Sequence, residues 1–427
     1  LLLNNNTPLG IARGNNTNHY SGDQPRASCC IGPISALISS SVLSGFILLT
    51  AMLVNALALP PYLVRKAEIQ TVSQILAEDG DLMVAGVSGS GRRSLIQWAA
   101  QQVGARVINI DCLRATTSSR FLTLLAEGLL GVFVTSQELN LIEQWTKEHP
   151  LKLEKIPIHR SSLVWKAGMK EEWGIFQSLL TLPQVMAELL DCRVVFVFQN
   201  FPHIRSWDRS GEWEAYLRQE VKRQSRINYV IIATIPEPWA DESHLQVMTL
   251  APVPRLELQD WSQSVMAAKS LQFDQAALEL FLDYMQGHLG DAIALARRIV
   301  LEYQVGVLEG YQNLASYSQN GLHPAHTIQI HHVRHSMLAL IEDRSLTFES
   351  LLLLLPPIQA RVLESLAIDP TDSPHAKDYV RIHQLSKGGG LQGALSGLEQ
   401  KGLIHGPKLG YRVAMPLFAF WLKQRLS

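Results

Sequence analysis

From Tyr62 onward the apolar positions fall into regular periods. The stretch VRKAEIQTVSQILAEDG spaces Val64, Ile69, Val72, Ile75 and Leu76 along one helical face and stops at Gly80, which predicts an amphipathic helix. DLMVAG then reads as a short buried strand, and RRSLIQWAAQQVG as a helix leaving the glycine turn between them. Further strands are predicted at ARVINID (105–111), CRVVFVFQN (192–200), YVIIATI (229–235) and LQVMTL (245–250). Their runs are largely apolar, and helices such as SSRFLTLLAEGLLGVF and LPQVMAELLD separate them. That combination predicts a parallel five-stranded sheet covered on both faces. Between those two helices, Trp145, Trp165 and Trp173 are expected to serve packing rather than base stacking.

The period then becomes helical throughout. DWSQSVMAAKSL, DQAALELFLDYMQG and GDAIALARRIVLEY predict three helices, with Asp274 and Asp291 as caps of the latter two. Next, NGLHPAHTIQIHHVRHSM holds His323, His326, His331, His332 and His335. His331 and His335 share a helix face at a workable metal spacing. No cysteine or nearby carboxylate completes a shell, so a solvated linker and no metal site are expected. From Leu355, PPIQARVLESLAI, KDYVRIHQLS and GGGLQGALSGLEQKGLI predict three helices, and HGPKLGYRVAMP a two-stranded wing. This is the order of a winged helix-turn-helix, with Ala394, Leu395 and Leu398 facing inward. A final amphipathic helix, PLFAFWLKQRL, is expected to dock through Phe418, Trp421 and Leu422.

Composition narrows the picture. Hydrophobic residues at 47% and charged residues at 18% of 427 residues describe a globular chain of two or three domains. A net charge of −1 speaks against a surface coated for nonspecific nucleic-acid binding. Cys29, Cys30, Cys112 and Cys192 form no C-x-x-C pair, which disfavours a zinc ribbon or disulfide scaffold and fits a reducing, cytoplasmic setting. Residues 1–61 stand apart as a leader. Residues 34–59 within it are mostly apolar and long enough to span a bilayer, with Arg65 and Lys66 as a cytoplasmic flank. Repeated serines dilute that run, and Met52 stands just before the regular pattern. A membrane anchor, a non-native leader and a packed helix all remain open readings.

The chemistry centres on GVSGSGRRS, residues 86–94. A strand, a glycine turn and a helix N-terminus together form an anion cradle, because backbone N–H groups converge where the helix dipole favours negative charge. A phosphate loop of the form G-x-x-x-x-G-K-[ST] needs lysine and a hydroxyl at positions 92 and 93. This chain has Arg92 and Arg93. Ser94 is no substitute for the hydroxyl, since one helical step turns it about 100° away. In a magnesium-dependent enzyme of this kind an apolar strand ends in two acids, one holding the metal's water shell and one polarising the attacking water. Here VVFVF ends in Gln199 and Asn200, neutral amides of similar size. Magnesium-assisted hydrolysis is therefore disfavoured at several positions together. The glycine scaffold of Gly86, Gly89 and Gly91 is kept, so binding of ATP, ADP or another phosphorylated ligand stays open.

From Tyr62 to its end the chain resembles prokaryotic AAA+/STAND-like (archaeal-type) P-loop ATPases with a C-terminal winged helix. YLVRKAEI is similar to the family's opening motif, with Arg65 and Glu68 in place and Val64 where that motif has glycine. GVSGSGRRS stands for a degenerate Walker A loop and VVFVFQN for a degenerate Walker B strand. Thr234 in ATIPEP sits at the sensor-1 position. GHLGDAIALARR resembles the lid segment, with Ile293 in the sensor-2 arginine's place and Arg297 one turn further on. The resemblance implies ATP binding, a lid that closes on nucleotide, and oligomers or switching. It implies nucleotide contacts from Arg65, Gly86, Gly89, Ser90, Gly91, Arg92, Arg93 and Ser94.

The expected architecture is an α/β P-loop NTPase core over 62–254, a helical lid over 255–320, a histidine-rich linker over 321–347 and a winged-helix domain over 348–427. DNA contacts are expected from Lys387, Gln392, Lys408 and Arg412. Base-reading side chains are sparse on the third winged helix, so nonspecific DNA, a protein partner or an intramolecular contact are alternative uses. The functional expectation is a regulatory ATP-binding protein or pseudo-ATPase with little hydrolysis. An ATPase completed by a partner, or a DNA-binding protein of replication, transposition or transcription, is the alternative.

Overall fold

The apolar strands assemble as their composition dictates. The computed structural model describes residues 64–155, 161–166, 172–223, 226–240, 245–305, 326–385 and 389–426; the leader, residues 34–59 included, lies outside them. Helix α1 (Lys66–Ala77) leads into β1 (Leu82–Ala85), α2 (Arg92–Gln102) and β2 (Arg106–Asp111). Helices α3 (Ser118–Val132) and α4 (Ser136–Trp145) precede an antiparallel hairpin, β3 (Leu151–Glu154) and β4 (Ser162–Trp165). That hairpin was not expected from the sequence. Then come α5 (Glu172–Leu189), β5 (Val194–Gln199), α6 (Glu212–Arg223), β6 (Ile227–Ala233) and β7 (Gln246–Thr249).

The main sheet is parallel, with order β2-β5-β6-β1-β7. Every residue of β1 and β6 is buried, whereas the edge strand β7 is largely exposed. Buried residues of α1 and α2 cover one face of this sheet and those of α3 and α5 the other, as the continuous apolar runs require. Trp173 packs edge-on against Trp213, and Trp145 stacks on His149, so both serve packing as expected. One strand, β6, separates the loop strand β1 from β5, whose end carries Gln199. The loop and the amide pair therefore face each other across that strand's C-terminal end.

The remainder departs from the expected division. Helices α7 (Arg255–Ala267), α8 (Gln275–Met285) and α9 (Leu289–Val305) form the lid, and β8 (Leu271–Phe273) pairs in parallel with β9 (His326–Ile328). Helix α10 (Ile330–Leu353) then runs unbroken through the boundary expected at residue 348. The described part of the histidine-rich segment thus enters that helix, with His331 and His335 exposed to solvent as expected. His332 is buried, and its Nδ1 lies 2.6 Å from the Tyr303 hydroxyl. The winged helix comprises α11 (Pro357–Ile368), α12 (Lys377–Ile382), α13 (Gly389–Gln400), the wing strands β10 (Ile404–His405) and β11 (Arg412–Val413), and α14 (Pro416–Leu426). A single apolar core, from Trp261 and Phe281 through Phe348 to Leu398 and Phe418, joins lid and winged helix. The helix α10 side chains Met337, Ile341, Phe348 and Leu352 belong to that core, so lid and tail pack as one body.

Candidate functional site

Strand β1 ends at Ala85, and the chain turns through residues 86–91 before entering α2 at Arg92. Gly89 and Gly91 hold φ of +79° and +93°, a left-handed region that side chains rarely adopt. Among the described residues, the backbone amides of Gly89, Gly91, Arg92, Arg93 and Ser94 donate to no protein group. The first amides of a helix have no intrahelical acceptor, so these donors are left for an anion. They border a cavity of about 360 Å³, lined also by the side chains of Arg92, Arg93, Gln199, Asn200, Ile232, Leu289 and Ile293. Sequence reasoning placed the loop residues and the amide pair together, and the structure brings them to one cavity.

The two arginines divide their roles. Arg92 turns its Nη1 onto the Ala233 carbonyl at 2.6 Å, tying α2 to the end of β6. Burial holds its guanidinium below the usual arginine value. Arg93 is exposed and, among the described residues, has no hydrogen-bond or ion-pair partner. The lysine position is therefore occupied by a structural tie, and the hydroxyl position by the available cation. Replacing Arg92 by alanine should cost about 1–3 kcal/mol of stability in chemical denaturation, the usual loss for a hydrogen bond from a charged donor. Arg93→Ala should stay within about 0.5 kcal/mol. Equal losses would refute this division.

Arg65, expected at the ligand, serves the scaffold instead. It is buried with φ of +63°. Its Nε donates to the Ser90 carbonyl at 3.0 Å, Nη2 to the Ala251 carbonyl at 2.6 Å and Nη1 to Glu68 at 2.8 Å. Its own backbone amide donates to Glu257 on α7. Ser90 likewise faces away from the cavity, with its buried hydroxyl unpartnered. Both residues fix the underside of the loop.

Among the described residues no carboxylate lines the cavity. Gln199 Nε2 donates to Asn109 Oδ1 at 3.1 Å, and Asn200 Nδ2 to Asp111 Oδ1 at 2.9 Å. Asp111, one strand over, also accepts the Leu113 amide at 3.1 Å. Sequence reasoning missed this acid, whose only signal was its position at the end of β2. It is absent from the cavity lining and already bonded. Among the described residues no group of three His, Cys, Asp or Glu side chains is placed to hold a metal ion.

The lid and the wing both sit on the loop. His288 Nε2 donates to the Ser88 carbonyl at 2.7 Å, and the Gly290 amide donates to the Gly89 carbonyl at 2.9 Å. His288 Nδ1 lies 3.1 Å from the Asp291 amide and 3.3 Å from Asp291 Oδ2. Burial opposes charging this imidazole, but hydrogen bonding and charge from Asp291, with help from the Ser88 carbonyl, leave it above its ordinary value. Asp291 is no helix cap, since α9 already begins at Leu289. Its carboxylate accepts the Leu417 amide of α14 at 3.1 Å and pairs with Arg344 of α10 at 3.4 Å. Asp274 does cap α8, accepting the Ala277 amide at 2.6 Å. Ile293 lines the cavity where the resemblance expected an arginine, and exposed Arg297 does not reach it.

Thr234 is also displaced from its expected role. It lines a second cavity, of about 290 Å³, shared by Gly86 and Val87 with Ile404, His405 and Lys408 of the winged helix. A Cβ on Gly402, whose φ is +70°, would lie 2.8 Å from Thr234 Cγ2. The wing is thus seated against the back of the loop. Of the expected DNA contacts, Lys387 falls outside the described residues. Gln392 is engaged by His375 Nε2 at 2.9 Å and by Ser396. Lys408 is exposed at the wing tip and Arg412 is half-buried on β11.

Comparisons with known proteins bear on this geometry. Residues 346–424 match a family described as "Probable winged helix domain". No curated protein matches the sequence. The chain is similar to the solved structure of a Walker-type ATPase from Pyrococcus abyssi, with 14% identity over 86% of this chain and 99% of that one, and a TM-score of 0.57. It is also similar to the ADP form of the Aeropyrum pernix ORC2 protein, with 14% identity over 87% of this chain and 97% of that one, and a TM-score of 0.46. The core therefore has the fold of that Walker-type ATPase structure, a parallel five-stranded α/β domain, and it is followed by a helical lid and a winged helix. Among the described residues no helix is long and apolar enough to cross a membrane.

Proposed function

We propose that this P-loop ATPase fold works as a pseudo-ATPase switch, in which a phosphorylated ligand in the loop biases the position of the winged helix and is scarcely hydrolysed. The observation that carries this reading is the bonded chain from the Ser88 carbonyl through His288 and Asp291 to the Leu417 amide. It joins the floor of the anion cradle to the first turn of α14 through buried groups. An anion at the loop acts on the dipoles and charges of that chain directly, so it binds the alternative arrangements of lid and tail with unequal affinity. Such differential affinity is what a population shift requires. With Gln199 and Asn200 neutral and Arg93 in the hydroxyl's place, the metal-assisted step lacks its parts. Each lost charged contact of this kind costs about a hundredfold or more in rate.

The docked wing favours an intramolecular contact over base reading as the use of the tail. Hydrogen exchange over residues 402–418, with and without saturating ATP or ADP, tests the switch. The expected result is a change of at least tenfold in exchange rate at the wing, with phosphate release no faster than in the protein-free control. Unchanged exchange on a loaded loop would sink the switch, and rapid magnesium-dependent release would sink the pseudo-ATPase.

A further inference from the structure

The geometry points to a ligand class: we infer that the cradle takes a metal-free phosphate chain, diphosphate in size, and has no seat for a nucleoside base. This rests on the anion-cradle reading above and deepens it. The free amides of Gly89, Gly91, Arg92, Arg93 and Ser94 lie at one end of the cavity, with the unpaired Arg93 guanidinium on its rim. Together they present many donors and no acceptor acid, which suits a fully ionised phosphate chain. A magnesium ion bound to that chain would need water or carboxylate oxygens around it. Here it would meet the Arg93 guanidinium and the neutral amides of Gln199 and Asn200, with no carboxylate among the lining residues to balance its charge.

The flanks of the loop are closed. Between the start of α1 and the lid, a gap bounded by Val64, Arg65, Leu95, Trp98 and Leu289 holds about 10 Å³. Behind Ser90, a second gap beside His288 and His405 holds about 10 Å³ as well. Each admits at most one water, whereas a benzene ring occupies a cavity of about 150 Å³ and a purine is larger. The closure is built, since the lid amide of Gly290 bonds to Gly89 and a Cβ on Gly89 would lie 2.6 Å from the His288 ring. Within the main cavity the apolar lining is the aliphatic Ile232, Leu289 and Ile293, with no aromatic face among the lining residues to stack on.

Calorimetry on the full chain, with inorganic pyrophosphate, ADP and adenosine as probes, tests the inference. In EDTA, pyrophosphate should bind, ADP should bind within about threefold of it, and adenosine should give no heat. Excess magnesium should weaken pyrophosphate binding, because the complex carries less charge. Arg93→Ala should weaken pyrophosphate at least tenfold, and Arg93→Lys should recover part of that loss. ADP binding tenfold or more above pyrophosphate, a requirement for magnesium, an indifferent Arg93→Ala, or silence from pyrophosphate would each overturn it. Pyrophosphate that binds without altering exchange at the wing would leave this inference standing and remove the switch. A wing that responds only to the base-bearing ligand would do the reverse.

Discussion

Asp291→Ala is expected to cost about 3–5 kcal/mol of stability, the usual loss when one partner of a buried charged group is removed. Asp291 is 4% exposed. Its carboxylate answers to the His288 ring, the Arg344 guanidinium and the Leu417 amide at once. Alanine leaves all of these without their acceptor. The Leu417 amide would be an unsatisfied donor in the first turn of α14, where a negative charge is also favoured by the helix dipole. His288 would lose the group that holds it above its ordinary value, leaving burial to oppose its charged form. Asp291→Asn keeps an acceptor oxygen for Leu417 and removes the charge, so a smaller loss, about 1–2 kcal/mol, is expected. Asp283→Ala is the control, because that carboxylate is 64% exposed in its pair with Arg255. Its cost should stay within about 0.5 kcal/mol. Urea denaturation of the three variants decides the matter. An Asp291→Ala loss under about 1 kcal/mol would show that α14 is held by its apolar face alone.

The main sheet, the glycine loop and the winged helix were legible because each follows a local rule. Continuous apolar runs such as Val194–Phe198 have one stable use, as central strands covered on both faces. The wing was legible from the glycine- and proline-marked turn between Ile404 and Val413. What escaped the sequence depends on contacts between distant segments. Asp291 has the signature of a cap, a short acid before an apolar period, and nothing local distinguishes a cap from a first-turn acid serving another helix. Thr234 and Arg65 stood at positions that the resemblance associates with ligand, but the docked wing and the Ser90 carbonyl claimed them. The fusion of lid and tail was hidden for a similar reason. Helix α10 is apolar along two stretches that read separately as a linker's end and a domain's start, and one core uses both.

His288 and His405 border one small gap at the seat of the wing, and from it follows the second large effect, a pH response confined to one variant pair. His405, on β10, is 8% exposed. Burial first, then the positive charges of Arg412 and His288, push its imidazole down to about 4. In the unfolded chain it titrates near 6.5, so between those values the unfolded state binds the extra proton. Stability from this group is therefore full above about 6.5 and is lost as the pH falls toward 4, by on the order of 3 kcal/mol. Two other groups work in the opposite sense. Asp81, desolvated beneath β6 and raised to about 7 despite accepting the Tyr229 amide, stabilises the fold below its unfolded value and loses that contribution as the pH rises through 7. His288, raised as well, contributes below about 6.5 and stops as the pH rises through its folded value. The wild-type profile is consequently flatter than the contribution of His405 alone, and the difference from His405→Gln isolates the wing. That difference should move in the variant's favour by on the order of 3 kcal/mol between pH 7 and pH 4. Parallel stability profiles for the two proteins across that range would mean that His405 is not desolvated against the loop. A divergence accompanied by faster hydrogen exchange at residues 402–413 of the wild type in acid would locate the loss at the wing's seat, the same contact through which the loop is proposed to act on the tail.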